Sequence, residues 1–280
     1  MRHKNILYLI RRALAYTIST LISLTCLFPL VWMIFASFKK KAEVLATPLR
    51  ILPEEWQMGN FRVVIQNPQR PLLDAMFMTF LVAASAVVLS LLINMMAAYV
   101  FARMEIYGKK LIWSYCITTM YVPGITILIT SFLVVHKLQM LNTFWVLLIP
   151  GLAGGYAIFF FRQFFLNLPN SLEDAARIDG CGRFGIFWRI FIPMSTTPMV
   201  VQGAGVFLGY WNSFLWPSIT ITNNKTLYQI MPVIRSMQTD YGAEYGRIMA
   251  ATCLAVIPPI LLFVIFQKYI VKGVYLSGLK

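Results

Sequence analysis

The stretch that decides the fold is Asn167-Leu168-Pro169-Asn170-Ser171-Leu172-Glu173-Asp174-Ala175-Ala176-Arg177-Ile178-Asp179-Gly180, running on to Ile190-Phe191-Ile192-Pro193. It is polar, and the sequence on both sides of it is apolar. It carries the acids Glu173, Asp174 and Asp179, and with its continuation the arginines Arg177, Arg183 and Arg189. Ser171 has an N-cap side chain, and Asp174 stands three residues on, close to the capping-box spacing. Glu173 and Asp174 then fall in the first turn, where the helix dipole favours negative charge. Gly180 is a natural C′ stop. These signals predict a helix of about nine residues, roughly 13 Å long at 1.5 Å per residue. A second short helix, from about Phe184 to Phe191, runs up to Pro193. A bent amphipathic element of this kind at a membrane face suits docking to a soluble partner.

Composition supplies the membrane. The 280 residues are 59% hydrophobic and only 12% charged, with a mean hydropathy of +0.71. A soluble domain averages about 25% charged residues. The net charge of +14 sets topology in such a chain rather than binding nucleic acid, and no basic patch is interleaved with aromatics. Cys26, Cys116, Cys181 and Cys253 lie far apart and fit neither a metal site nor a disulfide framework. They read as small buried hydrophobes.

The apolar runs number six. Residues 13–38 carry no charge, a length that exceeds both the ~20 residues of a span and the 7–15 of a signal-peptide core. It reads as a retained first helix; a cleaved signal is the weaker alternative, because no small-x-small site closes the run. Residues 39–74 form a proline-bearing polar loop with room for short helices around Met58–Gln66. A second charge-free run covers 75–102. Leu111–Val135 is the third, broken by Pro123-Gly124. Leu138–Phe161 is the fourth, with Pro150-Gly151 and Gly154-Gly155 permitting a bend or a close helix approach. Met194–Asn224 and Ile248–Gln267 complete the set. Lys225–Arg247 between them is polar, and its Gly242 and Gly246 allow tight turns.

The expected fold class is therefore an all-α membrane protein with six transmembrane helices and both termini cytoplasmic. Residues 1–12 form a cytoplasmic N-terminus, 13–38 the first span and 39–74 an extracytoplasmic loop. Residues 75–272 form the core, with five spans and a cytoplasmic loop over 166–193, and 273–280 form a tail. This arrangement puts 14 of the 24 Lys and Arg inside, a modest positive-inside bias weakened by Lys39-Lys40-Lys41.

No Asp, Glu, Lys or Arg sits deep in any run, so a proton relay of the kind ion-coupled carriers use is missing. No Gly-rich phosphate loop with Lys-Ser/Thr is present, so ATP hydrolysis belongs to a separate subunit. No nucleophile–base pair or metal cluster supports an intramembrane enzyme.

The polar stretch resembles the cytoplasmic loop of permease subunits of binding-protein-dependent ABC importers. That loop reads Glu-Ala-Ala, three residues, Gly, nine residues, Ile, any residue, Leu-Pro. Here Asp174-Ala175-Ala176, Gly180 and Ile190-Phe191-Ile192-Pro193 reproduce the spacing, with Asp174 for Glu and Ile192 for Leu. Ala97-Ala98-Tyr99 before Arg103, Phe161-Arg162-Gln163-Phe164-Phe165, Tyr210-Trp211-Asn212-Ser213-Phe214 and Gln267-Lys268-Tyr269 are similar to the carbohydrate-importer branch, with maltose-type (MalG-like) permeases the nearest match. Ser213 stands where relatives commonly carry Glu.

The resemblance implies a type I ABC importer permease fold in the plasma membrane of a prokaryote. It implies a second homologous permease as heterodimer partner, two ATP-binding subunits and an extracytoplasmic solute-binding protein. ATP and Mg would be held by the partner subunits, with no cofactor on this chain. Glu173, Asp174, Ala175, Ala176, Asp179, Gly180, Ile190 and Pro193 would couple to the ATPase.

Candidate solute contacts are Gln202, Tyr210, Trp211, Asn212, Ser213 and Trp216, because aromatic faces stack on sugar rings while Asn and Ser bond hydroxyls. Interfacial anchoring and helix gluing compete for the same residues. The function expected is import of a carbohydrate, an oligosaccharide or sugar derivative. A non-sugar solute and an ATP-independent carrier are the alternatives.

Overall fold

The computed structural model describes residues 2–69, 71–240, 242 and 244–277, and leaves out the side chains of 2–7, 239–240 and 272–277. Tyr241 and Ala243 of the expected turn segment, and 278–280 of the tail, lie outside the described residues. Every regular element among the described residues is helical.

A long α1 (Arg2–Ala36) is followed by short α2 (Lys41–Val44) and α3 (Gly59–Ile65), then by long α4 (Leu72–Arg103). Next come α5 (Lys109–Thr118), α6 (Leu128–Lys137), α7 (Phe144–Leu148) and α8 (Gly155–Leu166). The decisive stretch forms α9 (Asn170–Ile178), α10 (Arg183–Ile186), a π turn over Phe187–Phe191, and α11 (Ile192–Met194). The chain continues through α12 (Thr196–Trp211), α13 (Leu215–Thr220), α14 (Ile230–Asp240) and α15 (Tyr245–Ser277).

Three helices are long and apolar enough to cross a bilayer: Tyr8–Ala36, Leu72–Arg103 and Tyr245–Val271. Three further pairs qualify only as bent spans. Lys109–Tyr121 and Gly124–Lys137 meet at 99°, Phe144–Gly151 and Gly155–Leu166 at 49°, and Arg183–Met194 and Thr196–Trp211 at 79°. The bend at Pro123 follows from its missing N–H and from Val122, pushed to φ −88°, ψ 114° by the proline ring. The fourth run differs from its expected bounds. Residues 138–143 are loop, with Gln139 and Asn142 at positive φ, and helix begins only at Phe144.

The chain folds as two compact units. The smaller comprises Met1–Leu72 and Ile234–Ile257. Its centre is an aromatic knot of Phe35, Phe38, Trp56 and Phe61, with ring centroids 5.1–6.3 Å apart. Lys39 is only 1% exposed; its ammonium lies 4.4 Å over the Trp32 ring and donates to the Arg50 carbonyl. Lys40 pairs with Glu55 at 2.5 Å, and its hydrogen bond and charge hold the Glu55 carboxyl below the usual range. Arg50 pairs with Glu54. The basic cluster of this loop is thus largely consumed by the fold. Gly246 serves close approach rather than a turn: a Cβ there would strike the Lys39 carbonyl and come within 2.7 Å of Asn60 Nδ2.

The larger unit, Leu73–Val233 with Pro258–Lys280, is built beside α4. Within a membrane, unpaired backbone groups have no water to turn to. The break between α7 and α8 is met by Asn94 of α4. Its Nδ2 donates to the Leu152 carbonyl at 2.8 Å, and its Oδ1 accepts from the Gly154 N–H at 3.0 Å. Gly155 lets α8 pack on α5, since a Cβ would lie 2.6 Å from the Cys116 carbonyl.

Replacing Asn94 with Ala removes the partner of both part-buried backbone groups, and a polar group left unmet away from water costs about 1–3 kcal/mol. The variant is expected to insert normally and to melt several degrees lower in detergent, as read by intrinsic fluorescence. An unchanged midpoint would remove this role from Asn94.

Candidate functional site

The elbow forms as its sequence dictates, with one difference at its start. Pro169, not Ser171, occupies the N-cap position, and Ser171 lies inside α9. Proline's fixed φ presets the entry to the helix, so no side-chain cap is made. The C-terminus is a Schellman closure. The Gly180 N–H donates to the Arg177 carbonyl at 3.0 Å and the Cys181 N–H to the Ala176 carbonyl at 2.9 Å. Gly180 adopts φ +81°, which any Cβ would penalise.

Beneath the elbow lies a core of Met95, Ala98, Tyr99, Phe161, Phe165, Ala176, Ile186, Phe187 and Phe191. Tyr99 packs edge-on against Phe191 at 4.8 Å, and Phe165 does so at 5.1 Å. Ile190 packs against the edge of this core, and Pro193 stays exposed. The π turn widens the helix over Phe187–Phe191, and the chain then bends at Ser195, whose hydroxyl donates to the Phe191 carbonyl at 2.6 Å.

Glu173, expected among the docking residues, turns inward and is 6% exposed. It accepts from Arg177 Nη2 at 2.8 Å and lies 3.8 Å from Arg103 Nε. Arg103 does more than balance it. Its Nη2 donates to the Phe165 and Leu168 carbonyls, each at 2.6 Å, and its Nη1 to the Asn170 side chain. One guanidinium therefore ties the end of α4 to the end of α8 and the start of α9. Its Nε has no hydrogen-bond partner among the described residues, so the Glu173 contact is coulombic. Ala176 is also buried, which leaves Asp174, Ala175, Asp179 and Gly180 on the outer face. Large apolar side chains join them there: Ile178 is 87% exposed, and Phe184 and Trp188 are exposed too. Exposed apolar patches of this kind mark interaction sites.

The second candidate region is a cavity of about 420 Å³ within the larger unit, lined by α4, α6, α7, α12 and α13 together with Gln229. Tyr210, Ser213 and Trp216 line it; Gln202, Trp211 and Asn212 do not. Trp211 is 2% exposed and stacks on Phe207 at 5.7 Å, 12° from parallel. Adjacent helical residues point about 100° apart, so Tyr210 and Trp211 cannot share a face. Asn212 ends α12 and is exposed, while Gln202 lies about 12 Å down the helix axis from Tyr210. Tyr210 Oη donates to the Leu148 carbonyl at 3.0 Å, and Trp216 Nε1 to that of Val146 at 2.8 Å. Gly151 makes room for Tyr210, since a Cβ there would strike the Tyr210 hydroxyl.

Four residues of these sites escaped the sequence reading. Arg103 carried a signal, a lone cation closing a long charge-free run just after Ala97-Ala98-Tyr99. Ile178 and Phe184 are apolar residues of short helices, and nothing local marks which face they take. Gln229 was one polar residue among many.

Long apolar helices, a folded polar elbow and an uncharged cavity define the membrane component of a transporter. A family model of binding-protein-dependent transport system inner membrane components matches residues 95–275. The chain belongs to that family: it is a transporter component of the prokaryotic plasma membrane, not an enzyme. It is 30% identical over 256 residues to the sn-glycerol-3-phosphate transport system permease protein UgpE of Yersinia enterocolitica, covering 89% of this chain and 91% of that one. It is 29% identical over 266 residues to the arabinooligosaccharides transport system permease protein AraQ of Halalkalibacterium halodurans, covering 92% and 93%. A chain from the crystal structure of a bacterial ABC transporter involved in the import of the acidic polysaccharide alginate matches with a TM-score of 0.81 at 20% identity. The match covers 93% of this chain and 96% of that one. The fold is that of an ABC importer permease.

Arg103→Ala leaves Glu173 half-paired and the Leu168 carbonyl bare, while the Phe165 carbonyl keeps only the Leu168 N–H, and breaking a buried pair costs about 3–5 kcal/mol. Uptake should fall at least tenfold with membrane insertion intact, while Arg103→Lys, which lacks the planar fork, restores only part of it. Full activity of Arg103→Ala in a transport assay would refute the clamp.

Proposed function

We propose that this chain is one of two homologous permease subunits of an ABC importer that moves a carbohydrate delivered by a solute-binding protein. Two ATP-binding subunits, holding ATP and Mg, dock on the elbow. The three long helices and three bent pairs are read as six spans, with both termini and the 166–193 loop in the cytoplasm and the 39–74 loop outside.

The carrying observation is the elbow itself. Asp174, Ala175, Ile178, Asp179 and Gly180 project from a rigid base, and Pro193 is exposed beyond them. The buried Glu173 and Ala176, with half-buried Ile190 at the edge of the core, hold its shape, so an ATPase pushing on the outer face moves α4 and α8 through Arg103. A loose loop would absorb that motion instead. The carbohydrate assignment is supported by the arabinooligosaccharide permease and by an alginate importer of the same fold. The solute path is assigned to Tyr210, Ser213 and Trp216.

Reconstitution tests the whole reading. Proteoliposomes with this chain, its sister permease, the ATPase and the binding protein should accumulate sugar only with ATP. Gly180→Val, strained by about 1–2 kcal/mol or more at φ +81°, should cut uptake at least tenfold. Asp179→Cys should label only from the cytoplasmic face. ATP-independent uptake by this chain alone, or labelling from outside, would overturn the assignment.

A further inference from the structure

Inside the cavity, the hydrogen-bonding groups divide into two sets. Tyr210 and Trp216 have spent their donors on the Leu148 and Val146 carbonyls, so their rings stand as fixed aromatic walls. The Ser131 and Ser213 hydroxyls take no side-chain hydrogen bond among the described residues. Gln229 is the third free group. It is 4% exposed, and its Nε2 donates to the Leu227 carbonyl at 3.1 Å. That bond orients the amide and leaves Oε1 with no donor among the described residues.

Gln229 lines the cavity, and its amide oxygen is not among the sealed, unpartnered atoms; a ligand hydroxyl in the cavity supplies the donor it lacks. Among the described residues, no Asp, Glu, Lys, Arg or His lines the cavity. Phosphate, sulfonate and uronate groups call for guanidinium or ammonium partners, and this site has none to offer. An acyl chain or an apolar helix face would leave all three polar groups unmet. What fits is a solute with apolar ring faces and neutral hydroxyl edges, and about 420 Å³ is within the usual range of small-molecule sites.

We propose that this chain itself carries a binding site for an uncharged sugar unit, with Trp216 and Tyr210 as ring-stacking walls and Ser131, Ser213 and Gln229 bonding its hydroxyls. The proposal rests on the carbohydrate reading above and narrows it: the cargo passes through this subunit as a neutral glycan, whereas relatives named for glycerol phosphate and sulfoquinovosyl glycerol handle anions.

The test uses the complete transporter in proteoliposomes with its binding protein. The radiolabelled probes are arabinotriose, lactose and diacetylchitobiose as neutral glycans, and sn-glycerol 3-phosphate as the anion. Wild type should take up at least one neutral probe and reject the anion. Gln229→Leu and Ser213→Ala should each lower uptake at subsaturating loaded binding protein by about threefold to tenfold, the worth of one hydrogen bond. ATPase stimulation by the loaded binding protein should stay within twofold, a split that misfolding or loss of docking would not produce. Ser131→Ala removes no side-chain hydrogen bond of the fold and guards against a Gln229 variant that fails to assemble. Wild-type uptake with all three variants unimpaired overturns the cavity assignment alone. Uptake of only the anion overturns the neutral class. Uptake of no probe overturns the carbohydrate reading and this one with it.

Discussion

The larger unit depends on one constraint: backbone that leaves the helix inside a membrane must find partners in the protein. Three helix pairs of the unit are bent, and α4, a long unbroken helix beside them, carries polar side chains that hold one of these breaks and the elbow that follows it. Asn94 bonds the Leu152 carbonyl and the Gly154 N–H where α7 gives way to α8. Arg103 collects the Phe165 and Leu168 carbonyls where α8 gives way to α9. Without such side chains the breaks would have to straighten or flood. With them, the breaks become rigid corners that can carry a force.

That rigidity matters most at the elbow. Apolar surface gains little by moving from lipid into a helix interface, so packing and hydrogen bonds must hold the parts together. The aromatic core under α9 supplies the packing, and the Arg103–Glu173–Arg177 cluster supplies orientation. The split between inward Glu173 and Ala176 and outward Asp174, Ala175 and Ile178 is the 3.6-residue period of a single short helix. One face grips the protein and the other is left for a partner.

The cavity follows the opposite logic. Its aromatic residues are locked by backbone carbonyls, while its hydroxyls and one amide oxygen are left open. Glycines 124, 151 and 209 along its wall keep the space clear. A cavity with fixed aromatic walls and no charged lining residue among those described is suited to shape and hydroxyl pattern rather than to a strong electrostatic hold.

The sequence by itself determined the membrane class, the six apolar runs, the nine-residue helix ended by Gly180, and the kink at Pro123. Each of these follows from composition or from chemistry within a few residues: hydropathy, a helix stop, a missing N–H. It could not say which way Glu173 faces, that Lys39 is buried, that Trp211 packs away from the cavity, or that Asn94, Arg103 and Gln229 matter. Asn94 and Arg103 find partners 58 and 65 residues away, in Leu152 and Leu168, and Gln229 joins a wall assembled from five helices. Only the tertiary structure brings such groups within hydrogen-bonding distance, because a polar side chain in an apolar run states that a partner is needed without naming it.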